Sequence, residues 1–286
     1  MRNTIATIGN FDGLHTGHLK LIAKVINLAK KHNMSSLVCS FDTNTKEYSE
    51  LIFPQKQLKA YLSELNVNHC KQLKFLKDIK GLSCEEFVKK YIVNEYNAKY
   101  VVVGEDFFFG KEKSGNTETL CELGKKYGFK TIVLKLLKSG EVAVSSTYIR
   151  ELLKDGSIEK ANSLMYNPFS IFGVVKKGNN IGSTALSCPT ANISIPKNTV
   201  PLKHGVYKTK IVIDGKEYNS ITNIGHAPIK RKINPTIETH IFDYDKDIYK
   251  KRIKIVFLKY IREERQFKNI EALKKQIARD IIKAKG

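Results

Sequence analysis

The sequence has no long apolar run and few cysteines, and both absences restrict the kind of protein that it can encode. No stretch approaches the ~20 apolar residues of a membrane-spanning helix, and the N-terminus lacks the basic-then-apolar layout of a signal peptide. The five cysteines, at positions 39, 70, 84, 121 and 188, form no CxxC pair. We therefore expect reduced thiols in a cytoplasmic protein that does not contact membranes, with neither a disulfide framework nor a zinc site.

Acidic residues are also scarce, because 28 Asp and Glu stand against 49 Lys and Arg, which gives a net charge of +21. A basic chain can bind nucleic acid or handle polyanionic small molecules. The lysines are spread along the whole chain, without a block of like charge or an arginine-rich tail. Anionic small substrates explain this distribution better, so we expect no nucleic-acid partner.

The 286 residues exceed one typical domain, and the first part of the chain alternates strand and helix patterns. Apolar runs predict strands at 5–8, 36–41, 73–76, 100–104 and 130–134. Helical periodicity occurs at 19–29, 84–96, 119–127 and 148–153. This alternation predicts an α/β domain over residues 1–165, with a parallel sheet covered by helices.

The remaining residues predict a mainly-β domain, residues 166–286. Short β-rich runs occur at 169–175, 205–213, 216–221, 237–242 and 253–258, and Asp214-Gly215 is a hairpin signal. These runs predict an antiparallel barrel or sandwich. The spacing of Ile270, Leu273, Ile277 and Ile281 predicts a final amphipathic helix.

The stretch Gly9–His18, GNFDGLHTGH, joins the first predicted strand to the first predicted helix. Open α/β sheets bind ligands at this edge, and helix N-termini favour anions. His15 and His18 can direct imidazole donors to one side, and Gly17 lets a phosphate approach the backbone. A lone histidine is more often a surface or structural residue, but this pair favours phosphate binding. The other phosphate-binding candidates here are Gly9, Asn10 and Phe11.

Two further segments lie beside predicted strand or helix ends. Asp106, after the strand at 100–104, is available to hydrogen-bond a base, a ribose or a flavin, whereas the phenylalanines that follow it can be core residues. The hydroxyls of Ser145, Ser146 and Thr147 precede a helix that carries Arg150 one turn in. A plain helix cap would explain the serines, but the arginine favours phosphate binding.

Several motifs resemble known families. HTGH resembles the HxGH nucleotidyltransferase superfamily. More narrowly, TIGNFDGLHTGH, VGEDFFFG and VSSTYIR resemble bacterial bifunctional riboflavin kinase/FMN adenylyltransferases. PTAN, at Pro189–Asn192, and TIETHIFD, around Glu238, follow in the order of that family, as does RxExxF at Arg262–Phe267.

The resemblance implies a Rossmann-like nucleotidyltransferase domain and a riboflavin kinase barrel. It implies that riboflavin and ATP give FMN, and that FMN and ATP then give FAD and pyrophosphate. It also implies that Thr190 and Asn192 hold Mg²⁺ and ATP phosphates, as a hydroxyl and an amide oxygen two residues apart on a strand can do. The implied catalytic residues are His15, His18, Arg150 and the general base Glu238, and the implied flavin side comprises Arg262, Glu264 and Phe267.

Two segments depart from the family pattern. Gly182–Cys188 lacks the usual arginine before PTAN, and Phe41–Thr45 reads FDTNT where relatives commonly have FDPHP. The alternatives are a member with only one of the two activities, and a flavin- or RNA-binding protein without turnover. A different HxGH transferase is disfavoured, because such an enzyme does not need the β-rich PTAN module.

Overall fold

The computed structural model describes residues 3–42, 50–74, 78–176, 190–225 and 236–285. It divides into two compact units, Met1–Ser49 with Pro54–Tyr148 and Glu50–Phe53 with Ile149–Gly286. The domain boundary predicted after residue 165 stays a prediction. Within the described ranges, no helix is long and apolar enough to cross a membrane.

The first unit contains a parallel sheet of five strands in the order β3-β2-β1-β4-β5. The strands are β1 (Thr4–Gly9), β2 (Ser35–Asp42), β3 (His69–Lys74), β4 (Ala98–Gly104) and β5 (Lys130–Leu134). The predicted α/β fold is therefore confirmed. The strand order reverses between β1 and β4, and ligands bind open α/β sheets beyond the carboxyl ends of the strands at such a point.

Helices and one short hairpin complete this unit. They are α1 (Thr16–Lys31), α2 (Gln55–Glu64), α3 (Cys84–Phe87, continued in π-helical geometry over Val88–Glu95), α4 (Thr117–Tyr127), β6 (Lys138–Ser139) and β7 (Val142–Ala143). Helix α1 buries Ile22, Val25 and Ala29, which lie at helical spacing. Val25 and Ala29 pack with Ile5 of β1 and Val102 of β4 on one face of the sheet.

Helix α5 (Ser146–Asp155) begins in the first unit and continues into the second. The second unit then contains α6 (Ile158–Ser163), a sheet of six antiparallel strands, and the final helix α7 (Ile270–Lys285). The strands are β8 (Ser170–Val174), β9 (Thr190–Ser194), β10 (Gly205–Ile213), β11 (Lys216–Gly225), β12 (Thr236–Ile241) and β13 (Arg252–Arg262).

The antiparallel sheet has the order β8-β13-β10-β11-β12-β9, and its two outermost strands approach each other. The Lys176 N–H, just beyond β8, donates to the Asn192 carbonyl of β9 at 2.8 Å. A Cβ at Gly173 would lie 2.9 Å from Ile193, so glycine permits this approach. The sheet is therefore nearly closed, which confirms the predicted barrel with its C-terminal helix.

The two faces of this sheet differ in chemistry. The inner face carries apolar residues and four buried hydroxyls that hydrogen-bond in a chain at 2.8–2.9 Å: Ser220, Thr209, Thr222 and Thr239. Helix α7 covers part of the outer face, where Ala284 packs with Val206 and Ile221. The residues that alternate with the inner ones on β9 and β12 consequently point outward.

Candidate active sites

The two histidines of HTGH lie at the start of α1, and their rings are stacked. His15 is the N-cap residue, and its Nδ1 accepts a hydrogen bond from the His18 backbone N–H at 3.3 Å. The ring centroids are 3.5 Å apart, with 20° between the planes. Helix α1 begins three residues before the predicted position 19, because this cap places Thr16, Gly17 and His18 in its first turn.

Both imidazoles are neutral near pH 7. Burial lowers the pKa of His15 to about 4. Burial and then the nearby His15 lower the pKa of His18 well below its usual value. Since the Nδ1 of His15 accepts a hydrogen bond, the proton of this neutral ring is on Nε2. The pair is therefore a source of neutral N–H donors at a helix N-terminus.

A side chain at Gly17 would crowd the His15 ring. A Cβ at residue 17 would lie 3.0 Å from His15 Nδ1 and 3.1 Å from its Cε1. The preceding loop is strained, because the buried residues Phe11 and Leu14 have φ values of 52° and 37°. Such backbone costs about 1–3 kcal/mol per residue and is concentrated at functional sites. The Phe11 ring in turn packs against His18, with a centroid distance of 5.0 Å.

A second helix N-terminus lies beside the first. The Ser146 hydroxyl donates to the Asp12 carbonyl at 2.8 Å, and the Ser145 Oγ accepts from the Tyr148 N–H at 3.1 Å. Helix α5 begins at Ser146 rather than at the predicted residue 148, so Ser146 and Thr147 belong to its first turn. Two positive helix ends near the histidine pair make this edge of the first unit suited to a polyphosphate.

The ends of β1 and β4 are neighbours in the sheet, and Asn10 and Asp106 follow them. Both side chains are exposed. The Asp106 carboxylate lies over the β4 end, where a Cβ at Gly104 would be 2.7 Å from its Oδ1. Gly9 has room for a Cβ, which would be 3.5 Å from the Phe11 ring. Glycine at position 9 is therefore not required by packing.

Arg150 lies on α5, in the part that belongs to the second unit. Its Nε donates to the Glu50 carbonyl at 2.6 Å, and Lys154 pairs with the Glu50 carboxylate at 2.6 Å. The predicted contact of Arg150 with the triphosphate stays a prediction.

In the second unit, Glu238 lies between two asparagines on neighbouring strands. It is directly opposite Asn192 of β9 and Asn223 of β11. Directly opposite residues have Cβ atoms about 4.5–5.5 Å apart, and all three are half-buried on the outer face. We call Asn192, Glu238 and Asn223 the outer polar row. The sequence analysis named Glu238 and Asn192 but missed Asn223.

Thr190 and Asn192 come together as their spacing predicts. The Asn192 Nδ2 donates to the Thr190 hydroxyl at 3.3 Å and to the Thr190 carbonyl at 3.2 Å. Across the strand pair, Thr190 is opposite His240, a second residue that sequence reasoning missed. The sequence could have indicated His240, because it is two residues after Glu238 and therefore lies on the same face of β12.

A cavity of about 210 Å³ adjoins Thr190. Its other lining residues include the aromatic side chains of Tyr244 and Tyr249 and the charged side chains of Asp245, Lys246 and Asp247.

The three predicted flavin-side residues lie where β13 ends and α7 packs. Arg262 forms an ion pair with the buried Asp280, and its Nη2 lies 2.6 Å from Asp280 Oδ2. The Arg262 guanidinium also lies 5.9 Å from the Phe267 ring centroid. The Glu264 carboxylate lies over the end of β11, where a Cβ at Gly225 would be 2.6 Å from its Oε1. Arg262 thus has a structural partner, and its contact with flavin stays a prediction.

Some predicted features lie outside the described residues. Pro189 of PTAN and the segment Gly182–Cys188 are among them, as are Thr43, Asn44 and Thr45.

The chain is similar to known proteins in both sequence and fold. The sequence matches the family model for FAD synthetase over residues 1–148 and that for riboflavin kinase over residues 165–286. A crystal structure from Streptococcus pneumoniae, named as a macrolide-efflux protein, is 26% identical with a TM-score of 0.88. The structural match covers 99% of this chain and 94% of the Streptococcus pneumoniae chain. The fold is thus shared over nearly the whole length.

Three curated relatives are named bifunctional riboflavin kinase/FMN adenylyltransferase. That of Buchnera aphidicola from Schizaphis graminum is 36% identical, covering 98% of this chain and 92% of the relative. The relative from Escherichia coli K12 is 32% identical, and the match covers 98% of this chain and 91% of the relative. The relative from Bacillus subtilis is 33% identical, and the match covers 97% of this chain and 90% of the relative. The chain belongs to the family of bacterial bifunctional riboflavin kinase/FMN adenylyltransferases.

Proposed function

We propose that the chain makes FMN from riboflavin and ATP at the outer polar row, and then FAD from FMN and ATP at the histidine pair. Both catalytic domains of the family are present, which supports the bifunctional interpretation over the single-activity alternative. The observation that carries the proposal is that the histidine pair and Glu238 lie in different compact units. Macrolide efflux, named for the structural relative, is not proposed, because both family models describe flavin enzymes.

The first unit supplies neutral donors and helix ends for adenylyl transfer. A phosphate oxygen of FMN bonds to the α-phosphorus of ATP, the bond to the bridging oxygen breaks, and pyrophosphate leaves. No protein nucleophile is needed, because the FMN phosphate is itself the nucleophile. His15 and His18 would stabilise the developing negative charge through N–H donors, and Ser146 at the start of α5 would orient the triphosphate.

The second unit supplies a base for phosphoryl transfer. The 5′ oxygen of riboflavin bonds to the γ-phosphorus of ATP, the bond to ADP breaks, and the hydroxyl proton passes to the Glu238 carboxylate. Asn192 and Asn223 flank that carboxylate in register and would fix its orientation. The cavity beside Thr190, with a volume of about 210 Å³, is smaller than a complete small-molecule site, which usually has a volume of about 300–1,000 Å³. We therefore assign it to one part of the ATP molecule.

The residues beside Glu238 suit a magnesium ion. Because the Asn192 Nδ2 donates to Thr190, the Asn192 Oδ1 remains as a hard oxygen ligand, and the Thr190 hydroxyl is a second one. These two residues would hold Mg²⁺, which neutralises charge on the ATP phosphates when bound. We also propose a cytoplasmic location for the chain.

The test is the replacement Glu238→Gln, which keeps the shape and polarity of the side chain and removes the proton acceptor. Riboflavin phosphorylation should fall by about 10²–10⁴-fold, the usual loss for a general base. FAD formation from supplied FMN should continue at the parent rate. The matched control is Glu217→Gln, an exposed glutamate on β11. Phosphorylation at the parent rate in Glu238→Gln would remove this glutamate from the mechanism.

A further inference from the structure

A short segment from the first part of the sequence belongs to the second compact unit. Glu50–Phe53 lies between elements of the first unit in the sequence, but it is part of the unit that otherwise begins at Ile149. We call Glu50–Phe53 the inserted segment. Its central side chains, Leu51 and Ile52, are 8% and 1% exposed. The segment is therefore packed into the fold and is not an exposed connection.

Two backbone hydrogen bonds join the inserted segment to the loop after β9. The Leu51 N–H donates to the Asn198 carbonyl at 2.7 Å, and the Val200 N–H donates to the Leu51 carbonyl at 3.0 Å. Leu51 and Thr199 thus form a parallel bridge. Asn198 has a φ of 65°, a left-handed conformation that asparagine tolerates better than most residues. The inserted segment is therefore a short strand partner for this loop.

Helix α5 holds the inserted segment at its first residue. The Arg150 Nε donates to the Glu50 carbonyl at 2.6 Å, and the Lys154 Nζ lies 2.6 Å from the Glu50 carboxylate. The segment consequently connects α5 to the loop after β9, and all three belong to the second unit.

The loop that the segment holds directly follows the strand that carries Thr190 and Asn192. Residues 195–197 separate Ser194, the last residue of β9, from the bridged part of the loop. Strand β9 is an outermost strand of the sheet, and β12 pairs with one side of it. On the other side, the described residues supply the bridge between Lys176 and Asn192. An anchor just beyond the end of β9 therefore restricts where its two polar side chains lie.

We propose that the inserted segment positions the phosphoryl-transfer site, because it anchors the end of β9 and with it the side chains of Thr190 and Asn192. The proposal rests on the proposed function of the second unit. It makes Leu51 and Ile52 positioning residues for riboflavin phosphorylation, although both lie within residues 1–148, which match the FAD synthetase family model.

The test is Ile52→Ala in the full chain, with Ile52→Val as the milder variant. The matched control is Ile213→Ala, which removes the same atoms from a side chain that is 3% exposed on β10. Strands β11 and β12 separate β10 from β9. Ile52→Ala should raise the KM for ATP in riboflavin phosphorylation by about 10- to 100-fold, the usual cost when the support of a metal ligand is lost. Ile52→Val should give a smaller rise, and FAD formation from supplied FMN should continue at the parent rate in both.

The KM value separates positioning from a loss of stability. Unfolding of part of the sample lowers the concentration of active enzyme and hence the apparent kcat, but the KM of the remaining folded molecules does not change. Ile213→Ala should therefore keep the parent KM even where its apparent kcat falls. An equal KM for ATP in Ile52→Ala and Ile213→Ala would overturn the proposal. A loss of FAD formation in Ile52→Ala with unchanged phosphorylation would overturn it as well.

Hydrogen exchange separates this proposal from the proposed function. In Ile52→Ala the amides of β9 and of Val200 should exchange faster by about 10-fold or more, because the anchor of the loop is weakened. In Ile213→Ala these amides should be affected less than those of β10. A parent protein that forms no FMN would refute the function, whereas the exchange rates would still decide the role of the inserted segment. Parent exchange rates at β9 and Val200 in Ile52→Ala would overturn that role.

Discussion

The ion pair between Arg262 of β13 and Asp280 of α7 connects this helix to the barrel. We expect its removal to destabilise the second unit. The Arg262 Nε lies 3.0 and 2.9 Å from the two Asp280 oxygens, and Nη2 adds a contact of 2.6 Å. The Gln276 Nε2 donates a further hydrogen bond to Asp280 Oδ1 at 2.8 Å. Asp280 is 2% exposed. In Arg262→Ala the carboxylate stays buried and loses its cation, which costs about 3–5 kcal/mol in comparable pairs.

Native-state hydrogen exchange of the β13 and α7 amides measures this loss in the second unit alone. We expect Arg262→Ala to lower the free energy of opening by about 3–5 kcal/mol. Arg265→Ala, which truncates an exposed arginine three residues later, should change it by less than about 0.5 kcal/mol. An opening free energy for Arg262→Ala within about 1 kcal/mol of the parent, the range of most surface changes, would refute the reasoning.

Two further variants decide whether Arg262 also touches flavin. If it acts only by holding α7, then Asp280→Asn and Arg262→Lys should change the riboflavin KM in proportion to their loss of stability. A larger rise in KM for the arginine variant at equal stability would show a direct contact.

Two further predictions concern the histidine pair. Gly17→Ala should lower the rate of FAD formation by up to about 10²-fold, since the added Cβ would displace the His15 ring. Steady-state assays with Thr16→Ala as the control should show this loss only for the substitution at residue 17. The second prediction follows from the pKa of His15, which burial lowers from 6.5 to about 4. Between pH 6.5 and pH 4, His15 binds a proton in the unfolded chain but not in the folded one. The stability that this residue contributes is therefore complete above pH 6.5 and decreases towards pH 4, by at most about 1.4 kcal/mol per pH unit. Denaturant titrations of the parent and of His15→Asn should show that the replacement reduces this slope, and equal slopes would contradict it.

The sequence predicted most elements because their signals are local. The runs at 130–134 and 205–213 match β5 and β10 residue for residue. Helix α2 was missed because Gln55–Glu64 is mostly polar, although Leu58, Tyr61 and Leu62 lie at helical spacing and both leucines are buried. The strand β3 begins at His69 rather than 73, because its first residues, His69-Cys70-Lys71-Gln72, lack the apolar pattern of a buried strand.

The site residues were visible as motifs, but their roles depend on contacts between distant segments. Asn223 and Glu238 are aligned by the pairing of β11 with β12, and no local pattern gives that register. Arg262 was taken as a flavin residue because its partner Asp280 lies on another element. Gly17 was interpreted as room for a phosphate, whereas the structure shows a steric reason that depends on the ring of His15.

The most direct test of two separate sites is product analysis of the double variant His15→Ala/His18→Ala. The purified protein is incubated with riboflavin, ATP and Mg²⁺, and riboflavin, FMN and FAD are resolved by chromatography over time. The account predicts that the parent forms FMN and then FAD, whereas the double variant accumulates FMN at the parent rate and forms no FAD. Loss of both products to the same extent in a folded double variant would contradict it.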